Sequence, residues 1–229
     1  MTSNQVIDMK KKDPVLKTKR MRIQPMSDRE IEELIRTSDS DELRSAYREM
    51  LDGCRRDPEH RIWYAPWKMA LKNGPASIGD LCFKGPARDS AVEIGYGILP
   101  EFEGNGYMTE AVQAMTRWAF DRSVVFVEAE TEPENKASQR ILEKCGFIPD
   151  GQGKEGPRFV LESPLTNWMA IFMLLGMSLG TSFGALWGNT GTGISLGLCF
   201  GLCIGAALDS SAQKERKAQW DQRKSRPQL

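Results

Sequence analysis

Residues 92–98 read Val-Glu-Ile-Gly-Tyr-Gly-Ile, which puts Val92, Ile94, Tyr96 and Ile98 on one face of a strand and Glu93, Gly95 and Gly97 on the other. Two glycines on one face leave bare backbone that another chain or a ligand can approach, with a carboxylate at one end. The same pattern also suits a twisted or edge strand with a solvent-facing Glu. Directly afterwards, Pro100-Glu-Phe-Glu-Gly-Asn-Gly106 feeds a helix that opens at Tyr107. Unpaired N–H groups and the positive end of a helix dipole would converge there, which suits a phosphate or pyrophosphate. This loop carries neither GxGxxG nor GxxxxGK[ST], so the dinucleotide and P-loop fingerprints do not apply to it. A glycine turn before a helix also has a purely structural use.

Two runs in order, Pro100-Glu-Phe-Glu-Gly-Asn-Gly-Tyr-Met-Thr-Glu-Ala111 and Asn135-Lys-Ala-Ser-Gln-Arg-Ile-Leu-Glu-Lys-Cys-Gly-Phe147, closely resemble the GNAT superfamily of acyl-CoA N-acetyltransferases. Val92-Glu-Ile-Gly-Tyr96 and the Asn-x-x-Ser form look like the branch that includes ribosomal-protein N-terminal acetyltransferases. The resemblance implies acetyl-CoA as co-substrate, with its pyrophosphate on the amides of Gly104, Asn105, Gly106, Tyr107 and Met108, its pantetheine beside the strand ending at Leu99, and Asn135 touching it. One departure stands out, because Glu101 and Glu103 occupy positions where the family often carries Gln or Arg.

Acetyl transfer needs an amine stripped of its proton, a stabilised carbonyl oxygen and a proton source for the leaving thiolate. Glu93, on the glycine-lined face, is the expected base, acting through water. Many relatives use a tyrosine in the second helix as the acid, but Leu142 stands there, so the resemblance leaves Ser138 as the hydroxyl donor. A helix serine bonding its own backbone is the competing reading. Cys145 extends the Ile141 stripe and reads as core.

The elements that must position these groups follow from periodicity. Residues 20–26 alternate as a strand, and Ser27 with Glu30 forms a capping box for a helix through Ile31, Leu34 and Ile35. Leu43, Ala46, Tyr47, Met50 and Leu51 predict a second helix with one buried stripe. Strands are expected over residues 63–71, 77–84, 91–99 and 124–130, helices over 107–121 and 135–145, and a last strand pair around Phe147 and 158–161. This order predicts an α/β domain, a mixed sheet with flanking helices, over residues 17–162, after a disordered polar leader, residues 1–16.

The formal net charge is zero, but the charges are unevenly spread. Residues 1–20 sum to +4, residues 209–229 to +3, and residues 21–162 to −7. An acidic central domain would repel a phosphate backbone, so no nucleic-acid partner is expected. Five cysteines without a CxxC pair, and His60 as the only histidine, argue against a zinc site or a secreted disulfide framework and for a reducing cytosol. No metal is expected, and no signal peptide.

Between Glu162 and Asp209 lie 46 residues without a charge. Gly176, Gly180, Gly184 and Gly188 recur every four residues, and the series resumes at Gly193, Gly197, Gly201 and Gly205. Such spacing keeps glycines in one helical groove and lets backbones approach closely. Residues 163–208 are therefore expected to form a glycine-zipper hairpin that contacts membrane lipid through residues 168–208. Its first arm would be residues 168–187 and its shorter second arm residues 194–208, with the basic tail, residues 209–229, on the cytoplasmic side. A soluble helix pair that forms a homo-oligomer through its grooves, or a low-complexity tail, also fits the pattern. The expected function is acetyl transfer from acetyl-CoA to a primary amine in a ternary complex, and the rival is a membrane-associated acyl-CoA-binding module with little turnover. A protein N-terminus, an amino acid, a polyamine and an antibiotic all remain open as acceptor.

Overall fold

Ser27 and Glu30 open the first helix as their spacing predicts. The Ser27 hydroxyl accepts the Glu30 amide proton, and the Glu30 carboxylate accepts the Ser27 N–H at 2.8 Å. The structure is a computed structural model that describes residues 13–74 and 77–225. Two compact units divide the chain, Met1–Glu162 and Ser163–Leu229.

The first unit runs β1 (Leu16–Lys17), β2 (Met21–Pro25), α1 (Asp28–Thr37), α2 (Asp41–Arg56), α3 (Arg61–Tyr64), β3 (Trp67–Leu71), β4 (Gly79–Phe83) and β5 (Ala91–Ile98). It continues with α4 (Tyr107–Phe120), β6 (Phe126–Glu130), α5 (Lys136–Lys144), β7 (Ile148–Gln152) and β8 (Pro157–Glu162). The strands form one mixed eight-stranded sheet in the order β1-β2-β3-β4-β5-β6-β8-β7. Only β5 and β6 pair in parallel, and their register stops at Glu93↔Glu128. β5 nevertheless continues to Ile98 along β4, so beyond Glu93 it parts from β6 and one of its edges has no strand beside it.

Trp118 of α4 anchors the core under this sheet. Its ring lies 4.8 Å from Trp63, 4.9 Å from Trp67 and 6.0 Å from Phe83, in offset and edge arrangements that suit aromatic quadrupoles. Met108, Ala111, Val112, Met115 and Ala119 of α4 are buried in the same core, as the helical spacing requires. A second cluster, Met26, Ile31, Leu51, Cys54 and Ala65, lies beneath α1 and α2.

Several expectations need correction. Trp63 lies in α3 rather than in a strand, because Pro66 forces Ala65 into extended backbone, and β3 begins only at Trp67. The stripe on α2 is buried at Leu51 and Cys54, but Leu43 is exposed. Leu16 belongs to β1, paired with Ile23, so order begins inside the expected leader. Residues 1–12 of that leader lie outside the described residues.

The second unit pairs α6 (Trp168–Leu186) with α7 (Thr190–Lys224). A Cβ on Gly176 would sit 2.1 Å from the Gly197 carbonyl oxygen, on Gly180 2.2 Å from that of Gly193, and on Gly201 2.2 Å from that of Phe172. Only hydrogen fits at these crossings. Gly188 leaves the predicted series, since it has φ +72° in the turn and nothing near it. Asn189 then caps α7 by accepting the Thr192 N–H at 3.1 Å. The second arm is therefore longer than residues 194–208, because it starts at Thr190 and continues past Asp209 without a break.

Glu30 also binds Lys68. Against the burial that would raise it, Lys68 and Ser27 hold this carboxyl at about 2. A depressed carboxylate adds stability above its unfolded value near 4.5, and that stability is lost as pH falls toward about 2. Urea unfolding should find Glu30→Gln less stable than the parent at pH 7, with the gap closing steadily below pH 4.5.

Candidate active site

Where β5 leaves β6, a cleft of about 440 Å³ opens. Tyr96, Gly97 and Ile98 form one wall, the loop and first turn of α4 from Phe102 to Thr109 a second, and Asn135, Ser138 and Ile141 of α5 a third. Of the sequence-predicted residues, the binding candidates Gly104, Gly106, Tyr107, Met108 and Asn135 and the catalytic candidate Ser138 line it.

Gly104 and Gly106 adopt φ +73° and +74°, left-handed backbone that favours glycine. Gly106 is the N-cap of α4 and supplies no side-chain cap. The first-turn amides therefore point outward without an intrahelical partner. That donor set fits a pyrophosphate, and the strand-free edge of β5 fits the amides of a pantetheine arm.

Arg20, just ahead of β2, is a loop residue that the sequence reading missed. Its Nε meets Glu110 of α4 at 2.7 Å, its Nη1 donates to the Asn105 carbonyl at 2.8 Å, and its guanidinium lies 4.3 Å over the Tyr107 ring. Despite slight burial, Thr18 and Arg20 hold Glu110 below the usual carboxylate range. Asn105 serves the loop internally: its Nδ2 donates to the Phe102 and Glu103 carbonyls, and it is not among the lining residues. Leu99 also stays outside the lining, since its N–H donates to Ile78 at 2.9 Å within the sheet. No local sequence pattern could have signalled Arg20, because 85 residues separate it from Asn105.

Asn135 caps α5 by accepting the Ser138 N–H at 2.9 Å, and the residue lines the cleft. The Ser138 hydroxyl does not bond back along its own helix. It lies 2.9 Å from the Tyr96 hydroxyl, and either can donate to the other. Burial pushes Tyr96 up to about 12, partly offset by Ser138, so both hydroxyls stay protonated at neutral pH. Leu142, at the position where the resemblance implies a tyrosine, is fully buried, and the phenol that lines the cleft is Tyr96 of β5. The alternation pattern had placed Tyr96 with the packing residues, and only its hydroxyl hinted at more.

Glu93, the expected base, is not brought to this cleft. Its carboxylate binds Lys84 at 2.5 Å, and Lys84 also reaches Glu155 at 3.3 Å. Burial pushes the Glu93 carboxyl up, with Lys84 opposing. Cys145 donates to the Thr109 carbonyl at 3.6 Å, and burial pushes its thiol up to about 11, so it is inert at neutral pH. Among the described residues all five cysteines are free, and no group of His, Cys, Asp and Glu could hold a metal ion.

A family model described as an acetyltransferase (GNAT) domain matches residues 16–148. The chain belongs to the GNAT acetyltransferase family. The uncharacterized N-acetyltransferase YjdG of Bacillus subtilis (strain 168) is 33% identical over 91 residues, 39% of this chain and 54% of that protein. The chain spans about half the length of the first curated relatives it matches. A ribosomal-protein-alanine acetyltransferase from Vibrio fischeri shares the fold, with TM-score 0.54 and 17% identity, over 68% of this chain and 99% of that one. RimL, a ribosomal alpha-N-protein acetyltransferase solved in complex with coenzyme A, aligns with TM-score 0.52 and 15% identity, over 65% of this chain and 98% of that one. The GNAT family uses acetyl-CoA, and the cleft's donor set fits it.

Because Arg20 fastens the GNAT loop from outside, Arg20→Ala should loosen it without touching the hydroxyl pair. Steady-state kinetics should give a KM for acetyl-CoA raised roughly five- to tenfold, about 1 kcal/mol in binding, with kcat changed much less.

Proposed function

We propose that the chain transfers an acetyl group from acetyl-CoA directly to a primary amine in a ternary complex, and that α6 and α7 tether it to the cytoplasmic face of a membrane. The observation that carries the transfer reading is the Tyr96–Ser138 hydroxyl pair, 2.9 Å apart on the wall of a cleft whose far end is the amide-rich start of α4. The amides hold the pyrophosphate, and the hydroxyl pair supplies a proton to the thiolate that leaves when the C–S bond breaks. Direct transfer is supported because no cysteine lines the cleft and Cys145 is held protonated by burial. The ribosomal-protein acetyltransferases among the structural neighbours make a peptide α-amine the first acceptor to try.

The tether is supported by length and composition. α6 has 19 residues with mean hydropathy 1.7, and the apolar window of α7 reaches 1.8. Residues 190–208, the charge-free part of α7, equal α6 in length, about 28 Å at the rise of an α-helix. Asp209 sits at the base of both arms, accepting the Trp168 N–H at 2.8 Å and the Met169 N–H at 3.1 Å. One charged residue thus closes the hairpin at a single level. Lys214, Arg216, Lys217, Arg223 and Lys224 follow it, and the turn between the helices has no charge.

Thiol release from acetyl-CoA with a panel of peptide α-amines, amino acids, polyamines and aminoglycosides tests the transfer. Turnover should appear with at least one amine. Ser138→Ala should lower kcat by about 10²-fold with little change in KM. Acetyl-CoA binding without turnover on any amine would make the chain a binding module instead.

Cell fractionation of the full chain beside a form ending at Ser163 tests the tether. The full chain should sediment with membranes and resist carbonate extraction, and the shortened form should be soluble. Recovery of both in the soluble fraction would overturn the anchor.

A further inference from the structure

The acetyl-transfer reading leaves one step without a group to perform it, because the acceptor amine must lose its proton and Glu93 is committed to Lys84. The sheet carries another carboxylate at the same strand. Asp80 of β4 stands directly opposite Gly97 of β5, and Cys82 opposite Gly95, so these side chains share the glycine-lined face. One oxygen of Asp80, Oδ2, accepts the Tyr47 hydroxyl of α2 at 2.9 Å. The other, Oδ1, lies 3.8 Å from the point where a Cβ on Gly97 would be. Gly97 itself lines the coenzyme cleft, between Tyr96 and Ile98. The carboxylate thus lies beside the bare backbone of Gly97, a residue of the cleft wall, with one oxygen held by Tyr47 and the other on the Gly97 side.

Among the described residues, the lysines nearest along this face are paired with other carboxylates. Lys68 of β3 is the cross-strand partner of Asp80, but its ammonium is bound by Glu30 of α1. Cys82 is buried, with its thiol pushed up to about 12, and Lys84 farther along the face is held by Glu93 and Glu155. Burial also lifts Asp80, and the Tyr47 hydrogen bond pulls it back, so the carboxylate is more basic than an exposed aspartate yet stays aimed.

We propose that Asp80 binds the ammonium group of the acceptor and takes its proton, and that Tyr47 is the positioning residue that aims the carboxylate. This assignment rests on the acetyl-transfer reading above. The ammonium gives one proton to Asp80 Oδ1, and the freed nitrogen lone pair forms the C–N bond at the acetyl carbonyl as the C–S bond breaks. The nitrogen loses two protons in all. One ends on the coenzyme A thiol, by way of the Ser138 and Tyr96 hydroxyls, and the other leaves Asp80 for solvent. Selection of a cationic primary amine follows, since a neutral acceptor gains nothing from the buried charge.

The test is the pH profile of kcat/KM for the amine found by thiol release, on the full chain and its variants, with acetyl-CoA binding measured by isothermal titration as the control for folding. A protonated Asp80 cannot accept, so kcat/KM should fall on the acid side as Asp80 titrates. Asp80→Asn should bind acetyl-CoA as the parent does, lose a hundredfold or more in kcat/KM, and lose that acid limb. Tyr47→Phe should keep turnover and move the limb to higher pH, because the hydrogen bond it removes had lowered the Asp80 carboxyl. A parent-like acid limb in Asp80→Asn, or a limb that disappears only in Glu93→Gln, overturns the assignment while the acetyl-transfer reading stands. Acetyl-CoA binding with no amine turned over by the parent overturns both. Loss of acetyl-CoA binding in Asp80→Asn moves the decision to Tyr47→Phe, whose unshifted limb overturns the proposal and whose upward shift supports it.

Discussion

The site depends on the parting of β5 from β6 after Glu93. Two parallel strands that stayed paired would fill the space with their own hydrogen bonds and side chains. Because β5 follows β4 to Ile98 while β6 turns with β8, a wedge opens between them and a backbone edge is left for a ligand. The helices that follow each strand, α4 and α5, start at the mouth of that wedge. Their N-terminal turns therefore supply the loop amides and the Asn135 and Ser138 side chains to one cleft.

Charge is arranged around this opening so that few polar groups are left idle. Arg20 ties Glu110 and the Asn105 carbonyl, Lys84 ties Glu93, and Lys68 ties Glu30. These pairs fix loops and strands that the acidic first unit would otherwise leave to mutual repulsion. Arg20 matters most at the glycine loop. Glu101 and Glu103 make that loop acidic, and a cation from a distant part of the chain braces it from behind. Tyr96 and Ser138 form a different kind of pair, uncharged and half-buried, which keeps a transferable proton without demanding a counter-ion.

The second unit follows a simpler rule. Gly176, Gly180, Gly193, Gly197 and Gly201 lie where one helix backbone meets the other, and a Cβ at any of them would fall within 2.2 Å of a carbonyl oxygen. The large apolar side chains, Leu174, Leu186, Trp187 and Phe200 among them, face outward. A helix pair with its small residues inside and its hydrophobic ones outside is the inverse of a water-soluble bundle.

Much of this was legible in the chain itself. The capping box at Ser27, the alternation along β5, the left-handed glycines before α4, the Asn135 cap and the four-residue glycine spacing are local signals, each set by a residue's own stereochemistry or by a helix or strand period. They determined the mixed sheet, the family and most of the cofactor loop. What tertiary structure decided are the partners that meet from separate segments of the chain: Arg20 with Asn105, Tyr47 with Asp80, Tyr96 with Ser138, and, across neighbouring strands, Lys84 with Glu93. Whether a carboxylate is free to accept a proton depends on which cation the fold has put beside it. Sequence period specifies the face a side chain occupies, but only strand register and helix docking specify what stands opposite, and that is why the Lys84 beside Glu93 was not legible in the sequence.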